Sequence, residues 1–258
     1  MRRSSWSALL CCTLAASAAA QSLAGRVAAK DGSVQVVYAS RPSACGDGET
    51  FIGNVFGEST YDSGNATFSG SGTRYQRPCV HGPARIVASV VSGEVTRLRA
   101  YVGSVPASDM RTLNVSPTEA SIWLSGVIER ASSKVASEAM LPLVLADTPD
   151  PWPFLLRVAR DDSRPNGVRR SALVWLSNGV YEKLGITDAH ADSDDDEVRQ
   201  QAVFALSQRP KSESVPELID IARSAKNAAA RRSAIFWLGQ TGDRRAVDVY
   251  AELLKLRE

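Results

Sequence analysis

The sequence predicts an α+β protein in which a small N-terminal β domain precedes an α-solenoid of helical hairpins. Up to about residue 105, apolar and polar side chains alternate with the period of a strand. From Ser116 onward, apolar residues recur with the period of a helix. Three segments of this second half also resemble one another, which is typical of a repeat architecture.

The first 20 residues have the layout of a secretory signal peptide. Arg2 and Arg3 precede an apolar stretch over residues 6–15, and small residues follow as far as Ala20. We expect cleavage after Ala20 and export of the mature chain to the periplasm or the extracellular space. No later segment approaches the roughly 20 apolar residues of a membrane-spanning helix, so we expect no membrane insertion after cleavage.

The charge balance gives no reason to expect a nucleic-acid partner. The whole chain has 30 basic (Lys and Arg) and 28 acidic residues. Because residues 1–20 contain Arg2 and Arg3 but no acid, their removal leaves 28 residues of each sign. A nearly neutral protein lacks the field that attracts nucleic acid or an anionic membrane.

Residues 21–105 are predicted to form the β domain. The clearest element is a hairpin over residues 84–103, where two β-branched runs flank the turn Ser92-Gly93. Earlier strands are expected at residues 34–39 and 50–56. A long loop rich in Gly and Ser separates them from the hairpin.

Two cysteines, Cys45 and Cys79, remain once Cys11 and Cys12 leave with the signal peptide. In an oxidising compartment such a pair forms a structural disulfide. The alternative is a redox or metal-binding pair, but these cysteines are much farther apart than those of a C-x-x-C motif. We therefore predict a disulfide that closes the glycine-rich loop and stabilises the protein by about 3–4 kcal/mol in the chain-entropy model.

Residues 106–258 are predicted to form the helical solenoid. Ser116 and Glu119, with Pro117 between them, form a capping box with proline at the first helical position. Ser214 and Glu217 have the same spacing and predict a second helix start.

Three similar nine-residue segments lie within this half: VRRSALVWL at 168–176, VRQQAVFAL at 198–206 and ARRSAIFWL at 230–238. Their starts are 30 and then 32 residues apart, a length typical of helix-turn-helix repeats. Each copy has small or apolar residues at one helix face, which we call the repeat seam. The seam residues are Val168, Ala172, Trp175 and Leu176; Val198, Ala202, Ala205 and Leu206; Ala230, Ala234, Trp237 and Leu238; and, in a looser fourth copy, Ala120, Trp123 and Leu124.

Amphipathic partner helices accompany the copies. A helical pair this short cannot bury its own apolar stripe, so we expect the pairs to stack and share one core. After the first copy, an unusually short helix is expected over residues 180–186. The apolar partner residues are Trp152, Leu155, Leu156 and Ala159; Val215, Leu218, Ile219 and Ala222; and Ala246, Val249, Tyr250 and Leu253.

The segment Asp196-Glu197-Val198-Arg199, followed by Ala202 and Leu206, resembles the short HEAT-like repeats of the phycobilisome-lyase type. The resemblance covers residues 150–256 closely and 116–149 loosely. It implies a right-handed α-solenoid that binds proteins on a curved surface, without catalysis in most members. The segments RPSACGDGE and CVHGPARIV are similar to exported bacterial proteins that join a β segment to such repeats, and this second resemblance implies no activity.

Candidate catalytic and metal-binding residues are few. Neither His81 nor His190 accompanies a nucleophile motif, so no catalytic residue is predicted. The acidic stretch 187–197 could hold Ca²⁺ or a transition metal, but it lacks the glycine and the distal glutamate of a calcium loop. We favour capping of the next helix by Asp194–Glu197, and predict neither a metal nor a cofactor.

The leading functional hypothesis is a non-enzymatic scaffold for an unidentified protein partner. The third and seventh residues of each nine-residue copy project away from the seam. We predict that these residues form a binding row of polar, cationic and apolar side chains. The alternative for the apolar members is burial between neighbouring repeats. A hydrolase or ligand-binding enzyme with His81 between the two halves, and an envelope sensory or stress accessory protein, are the other hypotheses. The predicted row consists of Arg170, Val174, Gln200, Phe204, Arg232 and Phe236.

Overall fold

The computed structural model describes residues 22–53, 61–62, 79–148, 150–184 and 194–256. The predicted signal peptide lies outside the described residues. Within them, no helix combines the length and the apolar character that crossing a membrane requires. The elements in chain order are α1 (Leu23–Ala28), β1 (Gly32–Tyr38), β2 (Cys45–Gly46), β3 (Phe51–Gly53), β4 (Tyr61–Asp62), β5 (Val80–His81), β6 (Ala84–Val91), β7 (Glu94–Val102), β8 (Arg111–Asn114), α2 (Pro117–Arg130), α3 (Ser133–Glu138), α4 (Met140–Leu145), α5 (Trp152–Arg160), α6 (Asn166–Leu184), α7 (Asp194–Ser207), α8 (Lys211–Ser224), α9 (Ala228–Thr241) and α10 (Arg244–Leu254).

The larger sheet has the strand order β7-β6-β1-β8. Strand β1 pairs antiparallel with β6 and parallel with β8. The sheet therefore continues past residue 105, because the four residues of β8 add a strand that the sequence pattern did not predict. One face of the sheet is buried through alternate residues, as expected for a sheet covered on one side. The buried residues of this face are Val34, Val36, Tyr38, Ala84, Ile86, Ala88, Val90, Leu98, Ala100 and Val102.

The predicted hairpin is confirmed as β6 and β7, joined at Ser92-Gly93. Both turn residues have positive φ, 53° and 77°, as a two-residue type I′ turn requires. The carboxylate of Asp31 accepts hydrogen bonds from the backbone N–H groups of Ser92 (2.9 Å) and Gly93 (3.1 Å). These bonds lower the pKa of Asp31 and fix the turn beside the start of β1.

A second, smaller sheet has the strand order β4-β3-β2-β5. The predicted disulfide is confirmed, since Cys45 of β2 is bonded to Cys79, which directly precedes β5. The strand expected at residues 50–56 is described over Phe51–Gly53, and its last three residues lie outside the described part of the chain.

Helices α2, α3 and α4 form the layer next to the larger sheet. The cap at Ser116 is confirmed, because its hydroxyl accepts a hydrogen bond from the N–H of Glu119 at 3.1 Å. The hydroxyl of Tyr38 crosses the layer boundary and donates to the carbonyl of Pro142 at 2.7 Å. Burial raises the pKa of Tyr38, so this phenol remains a donor. The fourth seam, Ala120, Trp123 and Leu124, is buried in this layer.

Two helix boundaries differ from the sequence prediction. Helix α8 begins at Lys211, so Ser214 lies inside the helix and does not cap it. Ser214 already donates its N–H to the carbonyl of Pro210, and the burial of Val215 holds the turn in place despite the internal Pro216. The short helix expected at residues 180–186 is instead the end of α6, which continues unbroken to Leu184 because Val180 and Tyr181 are buried.

Candidate functional site

The second and third copies of the repeat, in α7 and α9, stack side by side in parallel. The amide of Asn227 donates to Asp196 at 2.7 Å near the start of both helices. Farther along, the rings of Phe204 and Trp237 lie 5.1 Å apart. These pairs are 31 and 33 residues apart in sequence, which matches the spacing of the two copies. Helices α7 and α9 are therefore successive units of one stack.

The first copy, in α6, packs against α9 in the opposite direction. The Tyr181 hydroxyl near the end of α6 donates to the carbonyl of Arg232 near the start of α9, at 3.2 Å. At the other end, the Arg170 side chain lies beside Gly242, which follows α9. Helix α9 therefore separates α6 from α7. The sequences of α6 and α9 are similar because each helix has the same pattern of apolar residues. Since the two helices are antiparallel, however, α6 is not related to α9 by the simple translation that relates successive repeats.

The six residues of the predicted binding row do not lie in one row. Phe204 and Phe236 both contact Trp237, with ring centroids 5.1 and 4.9 Å from it. Arg232 instead lies over the Tyr181 ring, 5.2 Å from its centroid. Because α6 and α9 are antiparallel, residues at the same position of the two copies lie toward opposite ends of the helix pair. The exposed members are Arg170 and Phe204, and the half-buried members are Val174, Gln200, Arg232 and Phe236.

The seam is buried in the first copy but open in the second. Val168, Ala172, Trp175 and Leu176 are all buried. In α7, by contrast, Val198 is 68% exposed, and Ala202 and Ala205 are also exposed. The prediction that these three residues are buried is wrong. Because α7 is the end helix of the stack, α9 and α8 cover only its inner side, through Val203 and Leu206.

The open side of α7 forms a continuous surface that we call the α7 outer face. The six residues that define it are uncharged. Arg199 lies at its border and is directed to Asp196, 3.0 Å away. Interfaces are depleted of charge at their centre in the same manner. The residues of the α7 outer face are Val198, Gln201, Ala202, Phe204, Ala205 and Gln208, all of them exposed.

One residue of the second copy signals this open face, although the sequence pattern assigned it to the buried seam. Trp175 and Trp237 occupy the same offset in the first and third copies, and the second copy has Ala205 there. Trp175 is buried and Trp237 is half-buried, whereas Ala205 is exposed. The alanine at this position, Ala205, therefore distinguishes α7, the end helix of the stack, from α6 and α9.

His81 has no catalytic partner among the described residues. Its Nδ1 atom lies 3.0 Å from the carbonyl oxygen of Ala44, and no described carboxylate or hydroxyl group hydrogen-bonds to its ring. The ring is exposed at strand β5 of the smaller sheet. The described surroundings of His81 therefore contain no nucleophile or acid in hydrogen-bonding position for a hydrolytic site.

A polar cleft of about 550 Å³ lies where the loop after β1 meets helices α5 and α6. Two of its charged side chains, Arg41 and Glu182, are engaged with each other. Arg41 pairs with Glu182 at 3.0 Å and lies over the Trp152 ring, 5.5 Å from the centroid. His81 does not line this cleft, so the cleft does not assemble the site that the enzyme hypothesis requires.

The candidate metal stretch, residues 187–197, lies mostly outside the described residues. Of its described members, Asp196 bonds to Arg199 and Asn227. Across the described parts of the chain, no three His, Cys, Asp or Glu side chains converge as metal ligands.

Comparison with known protein families matches residues 185–257 to HEAT repeats. The matched range contains α7, α8, α9 and α10, which are the two parallel-stacked hairpins. No curated protein and no solved structure matches the chain.

Proposed function

We propose that this HEAT-like repeat protein is a non-enzymatic scaffold that binds a protein partner through the α7 outer face. The observation that carries the proposal is the exposure of Val198, Ala202 and Ala205, whose equivalents in α6 are buried. A helix whose seam is left open at the end of a stack offers an apolar face on which another helix or peptide can pack. HEAT repeats are generally scaffolds for protein interaction, which agrees with this role.

Phe204 is the best candidate for an energetic centre of the surface. It is 42% exposed, and the half-buried Trp237 supports its ring from behind at 5.1 Å. An aromatic side chain that is held in place by packing loses little conformational entropy on binding. Aromatic residues are also enriched among the residues that dominate binding energies.

The proposal includes export of the protein. The layout of residues 1–20 and the pairing of Cys45 with Cys79 support this part, because stable disulfides form mainly in oxidising compartments. Fractionation of source cells tests it, with retention of the unprocessed chain in the reducing cytoplasm as the contrary result.

Affinity capture from the envelope fraction tests the binding surface. The tagged protein is compared with the double variant Val198→Asp/Phe204→Asp, which places two charges on the α7 outer face. Ile122→Asp is the matched control, because Ile122 is 70% exposed but lies on α2. We expect partners to be lost from the double variant and retained by the control. Equal recovery of every partner by the folded double variant would exclude this face.

A further inference from the structure

We infer that the larger sheet binds a small multivalent oxyanion of the phosphate class on its outer face, between Arg85 and Arg99. The outer face is the one opposite the buried residues that contact the helical layer. This inference concerns a different surface from the α7 outer face and does not depend on the proposed scaffold role.

The centre of the outer face has cations but no acids. The protein as a whole is nearly balanced, with 30 basic and 28 acidic residues, so this asymmetry does not follow from its composition. Alternation along the strands places Arg85 of β6 and both Arg97 and Arg99 of β7 on this face. Two acids lie at its ends, Glu94 beside the turn and Glu49 on the loop after β2, and within the described chain neither forms an ion pair with these arginines.

Arg85 is a buried cation whose hydrogen-bond partners are neutral. It is 6% exposed and donates to the carbonyl of Gly48 at 2.6 Å and to the amide oxygen of Gln35 at 3.4 Å. Its guanidinium carbon lies 4.1 Å from the centroid of the Tyr101 ring. Burial lowers the pKa of Arg85 more than Tyr101 and Glu49 raise it.

The Nε atom of Arg85 is buried as well, and no described residue accepts a hydrogen bond from it. Buried charges in proteins are normally paired, because an uncompensated charge loses its hydration without a replacement. Across the described residues, the other buried or half-buried arginines such as Arg41 and Arg164 have a carboxylate partner. Arg85 therefore has the character of a ligand-binding cation rather than that of a structural ion pair.

Arg99 is close enough to act on the same ligand. It lies opposite Val87, and Arg85 lies opposite Tyr101, so the two arginines are diagonal neighbours on one face. Such neighbours are about 7–8 Å apart, within reach of long side chains. The Nε atom of Arg99 is also buried without a hydrogen-bond partner in the described part of the chain. An oxyanion between the two side chains can accept hydrogen bonds from both guanidinium groups.

The burial of the face favours a small ligand over a macromolecular surface. The face is exposed at Arg97, half-buried at Arg99 and Tyr101, and buried at Arg85. A small ion can reach the inner end of this gradient, whereas a flat protein or membrane surface contacts only its outer end. Phosphate has nearly two negative charges at neutral pH, and its oxygens match the fork of the guanidinium group. It therefore balances two arginines better than a single carboxylate does.

Titration of the purified protein with inorganic phosphate at constant ionic strength tests the inference, with sodium chloride as the baseline. Calorimetry should show saturable binding, and nuclear magnetic resonance should show shifts of the Nε–H signals of Arg85 and Arg99. Arg99→Gln should weaken binding about tenfold or more, because it removes one of two charged donors. Arg99→Lys keeps the charge without the fork and should give an intermediate affinity.

Arg209→Gln is the matched control, because it removes the same charge at an exposed position after α7 and should leave phosphate binding unchanged. Arg99 is the preferred site of substitution, since Arg85→Gln would also remove the hydrogen bond to Gly48 and disturb the loop after β2. A folded Arg99→Gln variant with unchanged melting temperature excludes general unfolding as the cause of weaker binding.

Three results would overturn the inference: no saturable binding of phosphate, equal weakening by Arg99→Gln and Arg209→Gln, or shifts that leave both Nε–H signals unmoved. Glycerol 3-phosphate and vesicles that contain phosphatidic acid distinguish a soluble ligand from a lipid headgroup. We expect binding of the soluble ester, and binding to the vesicles alone would contradict a small-molecule site. Partner capture through the α7 outer face is unaffected by any of these outcomes.

Discussion

Gly179 of α6 lies directly against the ring of Trp152 at the start of α5. A Cβ atom on residue 179 would stand 2.8 Å from ring atoms Cδ2 and Cε2. The ring cannot move away easily, because Trp152 is buried and Arg41 lies over it. This glycine therefore sets the closest approach of the α5–α6 hairpin.

Gly179→Ala should destabilise the protein although alanine favours helices. The overpacked Cβ costs about 1–3 kcal/mol, of which helix propensity recovers about 1 kcal/mol. Gly167→Ala in the same helix is the control, because a Cβ there meets nothing within 4 Å, and it should stabilise by up to about 1 kcal/mol. Urea unfolding measures both. Equal stability of the two variants would contradict the proposed packing constraint.

Glu138 should protect the edge of the larger sheet. Its Oε2 atom accepts the N–H of Leu98 on edge strand β7 at 2.8 Å. Glu138→Ala should cost about 1–2 kcal/mol and accelerate amide hydrogen exchange at Leu98. Lys134→Ala, which removes the neighbouring ion pair but keeps the carboxylate, should leave that exchange rate unchanged. If both variants accelerate exchange at Leu98 equally, the effect comes from a general loosening of helix α3 and not from the Glu138 hydrogen bond.

Removal of the disulfide should lower the free energy of unfolding, because the unfolded chain without the cross-link has more conformational entropy. Cys45 and Cys79 are 34 residues apart, and releasing a loop of this length costs about 3–4 kcal/mol in the chain-entropy model. Thermal or urea unfolding of Cys45→Ala/Cys79→Ala, beside the oxidised protein, measures this loss. The double variant should also be insensitive to reductant, whereas a stability close to that of the oxidised protein would refute the assigned role.

Asp243 should make the stability of α10 depend on pH. Its carboxylate accepts hydrogen bonds from the Arg245 side chain and from the Arg245 backbone N–H, and these bonds lower its pKa below the usual 3.8. The associated stability is therefore present above the unfolded-state pKa and is lost as the pH falls through the lower folded-state pKa.

Asp243→Ala should cost about 1 kcal/mol near neutral pH, as expected for a lost N-cap. The difference from the natural protein should shrink as the pH falls through the lowered folded-state pKa of Asp243, because the natural carboxylate is then protonated. Asp243→Asn keeps a capping side chain and should retain part of the stability without this pH dependence. Urea unfolding at several pH values distinguishes these outcomes, and a pH-independent difference would contradict the charge assignment.

Local sequence signals predicted the local structure well. The turn at Ser92-Gly93, the cap at Ser116 and the disulfide were all predicted from short stretches of sequence, and the structure confirms them. The turn and the cap depend on interactions within a few residues, and the disulfide joins the only two cysteines that follow residue 20. The buried seam of α6 was predicted for the same reason, since one helix defines its own apolar face.

The packing of helices that are distant in sequence could not be predicted from such local signals. The repeated motif gives α6, α7 and α9 similar seams, but it does not encode the direction in which two helices meet. As a result, Val198 was assigned to the core although it is 68% exposed. The predicted helix start at Ser214 failed because tertiary burial of Val215 outweighed a local capping motif.

The packing of α9 between α6 and α7 has a consequence for how the protein is made. Helix α6 is complete at residue 184, yet the helix that covers it begins only at residue 228. In a nascent chain, α3, α4 and α5 can already pack on α6, but its α9-facing apolar side stays uncovered until the last two helices have left the ribosome. Closing this contact links residues as far apart as Tyr181 and Arg232, so the core is sealed late and from the C-terminal end.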